Sequence, residues 1–147
     1  MSTPDNVSVV SNVLKANWPL SSPGVNDILW ETTRVDAATF LSGGKNYAVC
    51  CYNPPSPTQV TVLSREAWQQ VERVLVDVYV KVLTSPADAT VIRENMKLQI
   101  YMILHSQELK VPGILDVFVE RETGKNEGPD LVRITLQVAC LNFHVVP

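Results

Sequence analysis

The clearest pattern in the chain is a strict alternation over Val71–Leu83. Val74, Val76, Val78, Val80 and Val82 fall on one side, and Arg73, Leu75, Asp77, Tyr79 and Lys81 fall on the other. β-Branched residues with a period of two predict a strand with one buried and one mixed face, since a helix would scatter the five valines around its axis. A second long alternation closes the chain at Leu131–Val146. Its even positions Val132, Ile134, Leu136, Val138 and Cys140 are apolar, and the apolar phase then moves to the odd positions Leu141, Phe143 and Val145. A one-residue phase slip inside a strand predicts a β-bulge or a break. Sixteen residues at ~3.3 Å each reach about 50 Å, more than the diameter of about 40 Å expected for a globule of this length. This strand therefore either bends around its own core or leaves Leu141–Val146 to pair with a neighbour.

Between these strands, Ser85-Pro86-Ala87-Asp88 sets a capping serine, a first-turn proline and an acid at the start of a helix. The stripe Ile92, Met96, Gln99–Ile100, Ile103–Leu104 carries that helix to about Glu108, before Pro112-Gly113. Near the N-terminus, Thr3, Pro4 and Asp5 suit a helix start, Val7, Val10 and Val13–Leu14 supply its apolar stripe, and Pro19 stops it after Trp18. Pro19–Val25 reads as a loop, Ile28–Val35 as a strand and Asp36–Asn46 as a flexible loop. Tyr47–Tyr52 reads as a buried strand, Asn53–Thr58 as a stiff proline-rich connection and Gln59–Leu63 as a short strand. Leu115–Glu122 alternates again, with Leu115, Val117 and Val119 opposite Asp116, Phe118 and Glu120. Thr123–Asp130 is a polar turn. The sum is an α+β domain: a mostly antiparallel, twisted sheet, with the Pro86–Glu108 helix and the shorter first helix packed on one face.

Composition agrees with a globular fold. The chain has 147 residues, 46% hydrophobic and 18% charged, which suits one domain, 1–147, with the strand pair at 115–146 as a potential protruding arm. A net charge of −3 with twelve scattered Lys and Arg residues argues against a general nucleic-acid binder. Cys50, Cys51 and Cys140 match no zinc or redox spacing and read as reduced, mostly buried thiols, with Cys50 and Cys51 on opposite faces of their strand. No apolar run reaches the 18 residues that cross a bilayer, and the start of the chain lacks the regions of a signal peptide, so a soluble protein made in the cytosol is expected.

Candidate chemistry is sparse. His105 and His144 are far apart, and neither has a ligand at metal spacing, although Glu108 could pair with His105. The cysteines sit in strand interiors with no base near them in sequence. Ser42-Gly43-Gly44-Lys45 has the composition of a phosphate loop but leads into a strand, and reads as a mobile turn. Asp116, Glu120 and Glu122 share one strand face in simple alternation, with Arg121 on the other. With Lys125 and Glu127 they make Glu120–Glu127 the most charged stretch, suited to a solvated face, a polar subunit contact or a channel wall. Asp77, Tyr79 and Arg133 are the polar strand residues that a ligand-binding cleft would use, and Asp77 with Arg133 could also form a cross-strand pair. No enzyme activity, metal or cofactor is expected.

The order of elements resembles that of tail-terminator and neck proteins of long-tailed bacteriophages. The resemblance centres on residues 66–109, where Glu66-Ala67-Trp68-Gln69 precedes the long alternating strand and the Ser-Pro-Ala-Asp start of the helix. Ile28-Leu29-Trp30 and Tyr47–Tyr52 also lie where such proteins place strands. The resemblance implies a structural virion protein, a ring of typically six subunits at the head-proximal end of the tail. Its partners would be other copies of itself, the tail tube protein, the head-connector protein and DNA passing through the lumen without sequence-specific contact, with no membrane. Candidate subunit-interface or lumen residues are Arg34, Asp36, Lys45, Glu120, Arg121, Glu122, Lys125, Glu127, Leu141, Phe143 and Val145. Another connector or tail-completion protein fits the same pattern, and a small α+β enzyme or ligand-binding domain is the rival from another class.

Overall fold

The computed structural model describes residues 6–20, 23–55, 58–62, 67–106 and 116–145. Its element order is α1 (Asn6–Asn17), a 3-10 turn (Val25–Asp27), β1 (Ile28–Glu31), α2 (Ala37–Ser42), β2 (Tyr47–Tyr52), β3 (Thr58–Val62), β4 (Ala67–Lys81), α3 (Pro86–Leu104), β5 (Asp116–Glu127) and β6 (Leu131–Val145). The fold is α+β. One sheet runs β1-β2-β4-β6-β5, with β3 also paired to β4.

The sheet is mixed, because β1 and β2 pair in parallel, Ile28 against Tyr47 through Glu31 against Cys50. Two parallel strands need a crossover of a dozen or more residues between them, and residues 32–46 supply it. Here the structure corrects two readings of the sequence. The strand expected over Ile28–Val35 ends at Glu31, and the loop expected over Asp36–Asn46 contains a short helix. Asp36 caps that helix by accepting from the Thr39 N–H at 2.7 Å, and Phe40 is buried against the Tyr79 ring, 5.2 Å between centroids. Six residues of helix with a single apolar anchor give almost no periodic signal.

α1 and α3 cover the opposite face of the sheet. Their buried residues (Val7, Val10 and Leu14; Ala89, Met96, Ile100, Ile103 and Leu104) meet Val74, Val76, Val78 and Val80 of β4 and Val132, Ile134, Leu136, Val138 and Cys140 of β6. The start of α3 is as the sequence predicts, with the Ser85 hydroxyl accepting from the Asp88 N–H and proline in the first turn. Thr3, Pro4, Asp5, Leu63, Glu108, Pro112, Gly113, Leu115 and Val146 lie outside the described residues. Trp18 and Trp30 pack edge to face at 5.5 Å, and their indoles donate to the Pro23 and Val25 carbonyls. Gly24 is required at this corner, because a Cβ there would lie 2.2 Å from the Leu20 carbonyl oxygen.

β4 and β6 form one unbroken antiparallel ladder, from Lys81 against Leu131 to Ala67 against Val145. The bulge or break expected near Cys140 is therefore absent from this pair. Cys140 lies opposite Glu72, which accepts from the Asn6 amide at the start of α1, and the change of apolar phase there comes with no change of register. Nor is the last part of β6 left unpaired within its own chain, since Leu141, Phe143 and Val145 lie against Val71, Gln69 and Ala67.

The bulges are in β5. Its register to β6 shifts between Val119 and Arg121 and again between Glu122 and Gly124, leaving Glu120 and Thr123 as the extra residues. β5 also runs further than expected, to Glu127, and the polar turn shrinks to Gly128–Asp130, closed by the Gly128 N–H donating to the Leu131 carbonyl. β5 and β6 are built into the main sheet. Past the end of β2, the sheet continues as a three-stranded extension made of β3 and the distal ends of β4 and β6.

This core arrangement predicts the cost of a cavity. Leu136→Ala, at a site with no solvent exposure, should lower unfolding stability by about 2–5 kcal/mol. Leu98→Ala, on the outer side of α3 at 56% exposure, should change it by less than about 0.5 kcal/mol. Denaturant titration of the two variants checks the contrast.

Candidate interaction surface

Among the described residues, α2 covers one end of the sheet face opposite α1 and α3. There Phe40, Ala48, Cys50, Tyr79 and Leu131 form a small second cluster, with Leu29 and Val35 against it. The rest of this open face mixes polar residues with Val71, Leu75, Phe118, Ala139 and Leu141. Asp77 is fully buried on β4 and accepts from the Tyr52 hydroxyl at 2.9 Å and the Thr135 hydroxyl at 2.5 Å. Its partner in register is Thr135, and Arg133 lies opposite Tyr79. Asp77 and Arg133 are thus one place out of register: the carboxylate takes hydroxyl donors on two sides, while Arg133 hydrogen-bonds with the Tyr79 side chain and still feels the attraction of Asp77. The Tyr79 hydroxyl donates to the Val35 carbonyl at 2.7 Å and ties the crossover segment to the sheet.

Further along this face a groove is lined by Pro54, Arg73, Glu120, Arg121 and Gln137. Glu120 accepts from Arg73 Nε at 3.0 Å and from the Gln137 amide at 2.6 Å, and Arg121 donates to Gln137 at 3.4 Å. Partial burial pushes the Glu120 carboxyl up, and the hydrogen bonds from Arg73 and Gln137 outweigh this and bring it below its ordinary value.

The simple alternation that put Asp116, Glu120 and Glu122 on one face is corrected here. The first bulge leaves Glu120 and Arg121 together on the open face and turns Glu122 towards the helices. Glu122 accepts from Lys97 of α3 at 2.9 Å, and Lys97 also meets Glu94 at 2.5 Å. Glu94 accepts from Arg93 at 2.9 Å and lies 3.6 Å from Lys125. Burial alone would raise the Glu94 carboxyl, but hydrogen bonds from Lys97 and Arg93 carry it down to about 2. The most charged stretch of the chain is therefore divided, with Glu122 and Lys125 turned to α3 and Glu120 and Arg121 on the open face. Sequence reading missed Arg93, Glu94 and Lys97 as its partners. The signal was a run of three charges on the helix side that a twisted sheet brings towards β5.

The remaining sequence candidates are dispersed. Asp36 is the cap of α2, Lys45 donates to the Asn26 carbonyl at 2.6 Å, and Lys81 donates to the Gly43 carbonyl at 2.7 Å, so the Ser42–Lys45 turn is tied at two points. Arg34 is exposed. Leu141 is half-buried, whereas Glu127, Phe143, His144 and Val145 are described in backbone only. His105 is exposed at the end of α3, where Nε2 accepts from the Val119 N–H at 2.9 Å. Cys50, Cys51 and Cys140 are buried free thiols, each pushed up to about 12, chiefly by burial. Cys50 and Cys51 lie in the two different clusters, as alternation requires.

Among the described residues no group of three or more His, Cys, Asp or Glu side chains could hold a metal ion, and no helix is long and apolar enough to cross a membrane. The outer face of α3 carries a second apolar stripe, Val91, Leu98 and Met102, at 59%, 56% and 68% exposure. Their helical spacing is legible in the sequence once the capped start is fixed. A comparison with protein-family models finds no match, and none of the curated proteins is significantly similar to the chain.

The Glu94 network sets a pH dependence. Because its folded value is depressed, its contribution to stability is complete above the ordinary value of 4.5 and is lost as the pH falls towards about 2. Glu94→Gln should be less stable than the parent at neutral pH and should show a shallower loss below pH 4.5. Thermal melts of both proteins across that range test it.

Proposed function

We propose that the chain is a structural subunit of a phage neck, a tail terminator that assembles with copies of itself into a ring at the head-proximal end of the tail tube. One observation carries this reading: the β4–β6 ladder is far longer than the main helix packed on it. Fifteen residues of strand reach about 50 Å, whereas the 19-residue α3 spans about 28 Å. The ladder is paired without a break to Ala67 against Val145. Regular, paired strand of this length is surface set out for association.

The resemblance over residues 66–109 supplies the particular assembly. In that setting the ring, six-membered in the proteins it resembles, meets tail tube protein on one side and head-connector protein on the other. DNA passes through the lumen without sequence-specific contact. The role is in the virion, without catalysis, cofactor or membrane. Arg34 and Arg121 are the exposed charged candidates for polar contacts, because Glu120, Glu122 and Lys125 are already engaged within the chain.

Truncation after Cys140 tests the reading, since it keeps the core residues of β6 from Val132 to Cys140 and removes the end of the strand. The shortened protein should keep a cooperative fold and lose assembly, measured by solution mass and by recovery in particles. A full-length protein that stays strictly monomeric and is absent from any particle would overturn the proposal.

A further inference from the structure

We propose that copies of this chain join edge to edge through the sheet extension, with the distal end of β6 in one copy lying beside β3 of the next. The inference rests on the reading that the chain assembles with itself, and it names the surfaces that do so.

Strand edges expose unpaired N–H and C=O groups, and native proteins guard them with shortness, bulges, charges or proline. The two outer strands of the main sheet are guarded in these ways. β1 has four residues and ends on Glu31. β5 carries two register shifts together with Glu120, Arg121, Glu122 and Lys125. The extension is different. β3 (TQVTV) pairs with β4 in unbroken register from Thr58 against Glu72 to Val62 against Trp68. The end of β6 (LNFHV) is equally regular against β4. Neither segment contains Asp, Glu, Lys, Arg or Pro.

β5 reaches along β6 only to Leu141, opposite Asp116. Among the described residues, β6 beyond Leu141 and the outer side of β3 have no strand beside them.

The occupant that fits both edges at once is a second copy. β3 and β6 are each antiparallel to β4, so they run in the same direction on opposite sides of it. A head-to-tail contact places β3 of the next copy parallel to β6 of the first, and repeats without change from copy to copy. Heterologous contacts of this kind close into rings when the rotation permits. A two-fold pairing of β6 with β6 would leave both β3 edges unused.

Thiol-directed bismaleimide cross-linking of concentrated protein tests the proposal, because the three native cysteines are buried. Val60 and Asn142 lie on one row, each opposite Gln70 of β4. Val60→Cys with Asn142→Cys in one chain should give a covalent series extending to the full ring. A mixture of the two single variants should give dimers only, and Asn142→Cys alone should give none. If that pair of substitutions impairs folding, Gln59→Cys with Leu141→Cys, opposite Val71, replaces it.

Cross-linking of Asn142→Cys alone would establish the two-fold alternative and overturn the head-to-tail contact. A protein that reaches ring mass without cross-linking at either pair would overturn the edge contact and leave the ring reading standing. A strict monomer at every concentration would overturn both.

Discussion

The β4–β6 ladder is the constraint on which everything else in this molecule depends. It is antiparallel, unbroken over its whole length and central, with β2 and β3 on one side and β5 on the other. Its even-numbered residues beneath α1 and α3 supply the middle of the core. A single slip of register would move Val76, Val78, Ile134 and Leu136 to the polar face and Asp77 and Thr135 under the helices. The Asp77 carboxylate, held by Tyr52 of β2 and Thr135 of β6, opposes such a slip from the other side. Buried and hydrogen-bonded across three strands, it is satisfied in one register alone.

Much of this was legible in the sequence because strong local signals agreed. The valine alternation of β4 and the Ser85–Asp88 cap each encode one element through adjacent residues, and both are realised as read. What could not be read depends on residues distant in sequence. α2 is too short for a period and exists through the fit of Phe40 to Tyr79. The parallel pairing of β1 follows from the crossover and not from any property of Ile28–Glu31. The phase change at Cys140 was visible, yet it marks no bulge, because pairing with β4 carries the ladder through it unbroken, and that partner lies sixty and more residues away in sequence.

The candidate site shows the same division. Alternation alone gave the wrong partners to Glu120 and Glu122, because a bulge has no composition of its own here. The charges of β5 and α3 were each apparent, yet their union required the twist of the sheet to carry Glu122 and Lys125 over Glu94 and Lys97. That union leaves less free charge on the hairpin than the sequence suggests. The end of β6, which the sequence already offered for pairing with a neighbour, and β3, which it did not, are the uncharged strands that have no further strand beside them among the described residues.

The pair of bulges in β5 has a consequence of its own. Each extra residue inverts the inside–outside assignment of everything that follows it, and the second inversion cancels the first. Only Arg121 and Glu122 lie in the inverted stretch, while Gly124 to Glu127 return to the parity of Val117 and Val119. The extra residues absorb the inversion themselves, since the partners in β6 run on without a gap. Loss of Glu120 or Thr123 alone would remove one bulge and leave every later residue of β5 on its present partner, with Lys125 still opposite Ile134 on the helix side. Lineages of this protein should therefore vary in length at these two positions one residue at a time, without disturbing the ladder to either side.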